Sequence, residues 1–311
     1  MEKREKTTSS AMRKTKFAAG LAFVAAMASV LTSCSETVKC DFQPGDGKTI
    51  PVTMRITGIE QIPFSQVTGM TKAGVSPAGI CSKVNFAVYS SQGESLSKLQ
   101  INQDAADEGF GTATFNLEEG TYKIVVLAHG GDGNPTMTVP TKITFNNKNT
   151  MKMTDTFLYS ADVTVSADVH EFNLELKRAV AMFQLHLTDA NLPDEVSQLR
   201  FEYSGGSSTI DAVSGLGCVA SKQTETLDCK PGVMDYGVYT FIRSDSDKLK
   251  VKVSALNGSG EVLKEQEFQD VPIKKNYITR YSGEMFNKQI LSTGFSVMLD
   301  NEWAGTTDCE F

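Results

Sequence analysis

The sequence contains few of the residues on which catalysis and metal binding usually depend. Its 311 residues include one tryptophan, Trp303, and three histidines that lie far apart, at positions 129, 170 and 186. It has no G-x-S-x-G nucleophile motif, and no cysteine pair has the C-x-x-C spacing of zinc or thioredoxin sites. A match to G-x-G-x-x-A at 215–220 continues as a loop pattern, whereas a dinucleotide site needs a following helix. We therefore expect no enzyme, no metal site and no cofactor.

A cluster of basic residues is also missing beyond the N-terminal region. The net charge is −7, and six of the 30 lysines and arginines stand before residue 17. No basic cluster remains in the rest of the chain, so the sequence offers no electrostatic case for binding nucleic acid.

Long apolar segments with helical periodicity are missing after the N-terminal region. Apolar residues instead alternate with polar ones, as at Val52, Met54 and Ile56, and Gly, Asn and Asp turns separate the segments. The stretch 122–128 is continuously apolar, as expected of a strand covered on both faces. Short strands with turns between them predict an all-β fold of two tandem β-sandwiches. We place the domains at 34–174, with an early strand at 50–59, and at 175–311.

The N-terminus has the layout of an export signal. Basic residues precede an uncharged, alanine-rich run from Phe17 to Ser33, which is short for a membrane-spanning helix. The run ends at Leu31-Thr32-Ser33-Cys34, a string that resembles a bacterial lipobox. That resemblance implies that 1–33 is a lipoprotein signal peptide and that Cys34 is acylated, with each buried acyl methylene contributing about 0.8 kcal/mol to membrane binding. The alternative is a secretory signal peptide that happens to contain a cysteine.

Five further cysteines follow Cys34. In an oxidising compartment they could form disulfides, and their odd number leaves at least one free or paired between molecules. Cys218 and Cys229 are the best candidates for a bridge, because they are close in sequence and could face each other across a hairpin or loop. Structural or free thiols remain the other reading.

Most of the mature chain resembles the fimbrillins of Bacteroidetes. The resemblance rests on the lipobox, on Thr71-Lys72-Ala73 in a loop after an early strand, on LKRAVAMFQL at 176–185 and on VPIKKNYITRYSG at 271–283. It implies two transthyretin-like, Greek-key β-sandwiches and export as an outer-membrane lipoprotein to the cell surface. It also implies assembly into fimbriae that mediate adhesion.

The resemblance further implies a route of assembly. A protease would cut between Lys72 and Ala73, in a processing loop at 60–80, although the family often has Arg at the position of Lys72. Loss of the strand at 50–59 would open an apolar groove and expose unpaired backbone NH and CO groups. A strand of another subunit could fill that groove, and the alternation of Phe295, Val297 and Leu299 suits a donor. Such head-to-tail contact propagates into a filament.

Several functions remain open on the sequence alone. The first is a fimbrial subunit or tip component that is cleaved; the second is an anchor that keeps its lipid and its strand. The third is a surface glycan-binding lipoprotein with Trp303 as a stacking residue, and an envelope hydrolase ranks last. The expected partners are other fimbrial subunits in a homo- or heteropolymer, the outer membrane through the lipid, and a host or bacterial surface ligand.

Overall fold

The computed structural model describes residues 38–39, 48–59, 77–90, 97–145, 153–245 and 247–286. These residues form β-strands and one short 3₁₀ turn at Pro77–Gly79, so the fold is all-β as predicted. None of the helical structure in the described ranges is long and apolar enough to cross a membrane.

The described residues contain nineteen strands. The first ten are β1 (Val38–Lys39), β2 (Ile50–Ile59), β3 (Lys83–Ser90), β4 (Ser97–Asp104), β5 (Thr112–Leu117), β6 (Gly120–His129), β7 (Thr136–Val139), β8 (Lys142–Thr144), β9 (Thr156–Val165) and β10 (Glu171–Arg178). The other nine are β11 (Ala181–Leu187), β12 (Gln198–Ser204), β13 (Thr209–Asp211), β14 (Leu216–Gly217), β15 (Gln223–Asp228), β16 (Asp235–Thr240), β17 (Asp247–Leu256), β18 (Val262–Ile273) and β19 (Ile278–Gly283).

The N-terminal strands form a sheet in the order β1-β4-β3-β6-β9-β10-β2-β5. Strand β10 connects two parts of this sheet, because its last two residues pair with β9 while Glu171–Leu176 pair with β2. Inward side chains from β3, β6 and β9 and from β10, β2 and β5 share one apolar core, which we call the first core. Burial alternates along β5, β10 and most of β2, so their other side chains point outside, whereas β3 and most of β6 are buried on both faces.

The C-terminal strands form two sheets, β16-β11-β19 and β15-β12-β17-β18. Their inward side chains make the second core, in which the ring of Phe183 lies 6.3 Å from Phe201, 5.5 Å from Phe268 and 5.7 Å from Tyr281. A turn at 257–260 joins β17 to β18, with the Asn257 side chain accepting the amide hydrogens of Ser259 and Glu261.

A small sheet in the order β14-β13-β8-β7 contributes to a third core. It is assembled from distant parts of the chain, since Ile143 of β8 pairs with Ile210 of β13. The third core also buries the outer faces of β3 and β6, so the continuously apolar stretch 122–128 is covered on both sides as predicted. The predicted domain boundary at residue 175 falls inside β10, and the division into two domains stays a prediction.

Candidate functional site

Strand β2 is an internal strand with hydrogen-bonded neighbours on both sides. It runs parallel to β10 and antiparallel to β5. The Thr53 amide donates to the carbonyl oxygen of His170 at 2.9 Å, and the Ile56 amide donates to that of Gly111 at 2.9 Å. The strand predicted at 50–59 is therefore an internal strand of the N-terminal sheet, next to the edge strand β5, and the two-residue β1 precedes it in the chain.

The side chains of β2 alternate strictly over its first half. Val52 and Met54 are fully buried and Ile56 is nearly so, whereas Arg55 is exposed on the opposite face. The sequence IPVTMRITGI is rich in β-branched residues, which favour this pleated and half-buried conformation.

Hydrophobic burial makes β2 energetically important. Four of its side chains belong to the first core: Val52, Met54, Ile56 and Ile59. At about 1.5–3 kcal/mol for each buried side chain, they contribute roughly 6–12 kcal/mol of transfer free energy. Whole domains are stable by only about 5–15 kcal/mol. The first core therefore needs β2, or another strand in its place.

We call the position that β2 occupies between β10 and β5 the β2 slot. Its inward lining comes from Phe172, Leu174 and Leu176 of β10 and from Ala113 and Phe115 of β5. An empty slot would expose these apolar side chains and the unpaired backbone groups of both neighbouring strands. Exposed sheet edges of this kind are templates for pairing with another chain.

Gly111 shapes one end of the β2 slot. Its φ of +86° lies in the left-handed region that favours glycine, and an added Cβ would lie 2.7 Å from Cγ of Pro77. Because the same glycine accepts the hydrogen bond from Ile56, Pro77 lies next to the slot. The described chain thus resumes beside the slot after residues 60–76.

The other residues of the predicted assembly route lie outside the described residues. They are Cys34, Lys72, Ala73, Phe295, Val297 and Leu299. Trp303, the predicted stacking residue for a glycan, also lies outside them. Lipidation, processing and strand donation therefore stay predictions.

The predicted disulfide between Cys218 and Cys229 does not form, and both thiols are free. The two residues belong to different pairings rather than to facing strands of one hairpin. The Cys218 amide donates to Thr209 on β13, whereas the Cys229 amide donates to Ser197 just before β12. Burial raises the pKa of both thiols, so neither is activated as a nucleophile.

His129 is a structural residue at the end of β6. It is fully buried, and its Nδ1 accepts the amide hydrogen of Gly131 at 3.1 Å. The proton is then on Nε2, which donates to Oδ1 of Asn85 at 3.0 Å. Burial, aided by the charge of Lys83, lowers the pKa of His129 to about 4. This role was not predicted from the sequence, although a histidine that directly follows an apolar stretch, here 122–128, is a signal for it.

Asp235, His186 and Ser282 occupy adjacent positions on β16, β11 and β19. Nδ1 of His186 lies 3.0 Å from Oδ1 of Asp235. The Ser282 hydroxyl, however, is buried and has no hydrogen-bond partner among the described residues. Without a bond from serine to histidine, the row lacks the activated nucleophile of a catalytic triad. Within the described ranges, no group of three or more His, Cys, Asp and Glu residues is arranged to hold a metal ion.

Comparison with known proteins gives a family but no described activity. A family model described as a family of unknown function, DUF6562, matches residues 49–310. No curated protein matches the sequence.

Similar solved structures come from Bacteroides and Parabacteroides species. A candidate adhesin from Bacteroides thetaiotaomicron is 10% identical, with 81% of this chain and 96% of that one covered and a TM-score of 0.47. A fimbrial assembly protein from Parabacteroides distasonis is 13% identical, with coverages of 84% and 99% and a TM-score of 0.39. A candidate polysaccharide-binding protein from B. thetaiotaomicron is 10% identical, with coverages of 73% and 90% and a TM-score of 0.44. Likeness at this level does not decide the function of the chain.

Proposed function

We propose that this chain, which belongs to the family of unknown function DUF6562, is a structural subunit, or a tip or accessory component, of surface fimbriae that mediate adhesion. In this proposal the subunits join by strand exchange at the β2 slot. The observation that carries the proposal is the position of β2: an internal strand near the N-terminus, paired on both sides and buried in the first core.

The position of β2 gives proteolysis a specific consequence. A cut between Lys72 and Ala73 would sever the covalent link between β2 and the rest of its sandwich. The loss of roughly 6–12 kcal/mol of apolar burial would then favour any strand able to refill the slot. Strand addition provides main-chain hydrogen bonds for affinity and alternate side chains for specificity.

Export and anchoring complete the proposal. An acylated Cys34 would hold the uncleaved chain at the outer membrane, and the cut would separate the subunit from its lipid. Because one subunit donates a strand and accepts another elsewhere, the contact is heterologous and does not close on itself. The partners are then other fimbrial subunits, and a host or bacterial surface ligand for the assembled fimbria.

Identifying the N-terminus of the protein purified from its native envelope tests this proposed function. We expect mass spectrometry to find a population that begins at Ala73 and gels to show a high-mass ladder. Lys72→Ala should keep the acylated Cys34 N-terminus and abolish the ladder, because the protease loses its basic residue. Lys72→Arg is the matched control and should still be cut. A wild-type protein that begins only at Cys34 and forms no ladder would refute the polymerising subunit.

A fimbrial anchor is the second candidate function. The pairing of β2 with both β10 and β5 favours it. With the slot filled by its own strand, a subunit cannot accept a donor, and with its lipid retained it would terminate a filament at the membrane. An uncleaved, acylated protein that co-purifies with fimbriae at their base would identify this role.

A further inference from the structure

The lining of the β2 slot differs in size from one inward position to the next. Met54 lies directly opposite Ala113 on β5, and on its other side it pairs with Phe172 of β10. Ala113 is the smallest of the three buried side chains of β5, the others being Phe115 and Leu117. Side chains directly opposite each other in antiparallel strands lie within contact distance. The long side chain of Met54 therefore occupies space that the Ala113 methyl leaves free.

The flanking inward positions carry β-branched side chains. Val52 lies opposite the bulky Phe115, and Ile56 lies beside Leu174 of β10. All three β2 residues belong to the first core. Read along β2, the slot holds a β-branched residue, then a large flexible residue opposite Ala113, then a β-branched residue.

The chain repeats this order of sizes at 293–297. Thr293, Phe295 and Val297 alternate as β-branched, large and β-branched. Centring the alternation Phe295, Val297 and Leu299 in the slot would instead put valine opposite Ala113 and phenylalanine opposite Phe115. Packing at native density penalises both changes, the first as a cavity and the second as overpacking. The break in register between Leu174 and Glu175 lies beyond these three positions.

We propose that Ala113 fixes the register of strand exchange, and that the β2 slot accepts residues 293–297 of a second copy of this chain with Phe295 opposite Ala113. This inference rests on the proposed function. The donor runs parallel to β10, as β2 does, so that it can form the hydrogen bonds that β2 forms.

Cysteine cross-linking reads this register directly. The test uses the full mature chain with a site-specific protease sequence in place of residues 69–74, so that β2 can be released on demand. Ala113→Cys is introduced into this chain, and synthetic peptides of residues 291–300 carry either Phe295→Cys or Val297→Cys. Directly opposite positions meet the distance requirement of a disulfide, whereas positions two residues apart do not. We expect a cross-link with the Phe295→Cys peptide and little with the Val297→Cys peptide.

Native mass spectrometry of the same cleaved chain measures uptake without cross-linking. The unmodified peptide should replace β2, and the Phe295→Ala peptide should bind at least about tenfold more weakly because it leaves the space beside Ala113 empty. Met54→Cys with Ala113→Cys in the uncleaved chain is the positive control for the geometry and should cross-link.

The outcomes separate the two proposals. Peptide uptake combined with preferential cross-linking of Val297→Cys, or with equal binding of the Phe295→Ala peptide, overturns the register and leaves strand exchange standing. If the cleaved chain binds neither the unmodified peptide nor the Phe295→Ala peptide, strand exchange is refuted. The proposed register is then refuted as well.

Discussion

Burial of His129 at the end of β6 gives the protein a source of pH dependence. In the folded chain the pKa of His129 is lowered from 6.5 to about 4, mainly because burial disfavours the charged ring. The unfolded chain therefore binds the extra proton first as the pH falls. The contribution of the neutral His129 ring to the free energy of unfolding is therefore fully present above pH 6.5 and is lost as the pH falls from 6.5 to 4.

Replacing His129 should flatten this part of the pH profile. A shift of this size corresponds to roughly 3 kcal/mol. We expect the free energy of unfolding of wild type to fall more steeply between pH 7 and 4.5 than that of His129→Asn, as measured by urea denaturation. Equal slopes for wild type and His129→Asn would contradict the assignment.

The two faces of β2 should respond very differently to substitution. Met54→Ala removes a fully buried side chain from the first core, and we expect the free energy of unfolding to drop by about 2–5 kcal/mol. Thr53→Ala is the matched control on the outer face, where it removes a 3.2 Å contact with the Thr114 hydroxyl and should cost less than about 1 kcal/mol. Urea denaturation at pH 7 measures the free energy of unfolding of both variants. Similar losses of stability would mean that the Met54 face of β2 is not buried in the first core.

Individual strands were predictable because alternation is a local property. The period of two at Val52, Met54 and Ile56 is visible in the sequence and corresponds to the buried face of β2. The partners of a strand are not local. The parallel pairing of β2 with β10 and the pairing of Ile143 with Ile210 join distant positions, which no short-range pattern specifies. The failed Cys218–Cys229 prediction has the same cause, since proximity in sequence did not make them neighbours across a ladder.

At the scale of the whole molecule, the third core and a partly buried ion pair join the N-terminal and C-terminal strands. The Arg178 side chain, at the end of β10, is 6% exposed and makes a bidentate contact with Asp155, both distances being 2.7 Å. Its Nη1 also donates at 3.1 Å to Asn276, in the turn between β18 and β19. The guanidinium stacks 5.0 Å from the Phe157 ring centroid. One side chain thus contacts the first-core strand β9 and the last turn of the C-terminal sheets.

Loss of Arg178 should therefore weaken the connection between the two sets of sheets as well as the local fold. Removing one partner of a fully buried ion pair costs roughly 3–5 kcal/mol, and we expect a smaller loss here because Asp155 is 28% exposed and stays partly solvated. Arg178→Lys should recover only part of the loss because lysine cannot form the bidentate contact. We expect Arg178→Ala to speed amide hydrogen exchange in β8, β13 and the turn at Asn276 more than in β12 and β17. Lys177→Ala, at the exposed neighbouring position, should leave exchange unchanged. A uniform increase across all strands would instead mean that Arg178 contributes only to global stability.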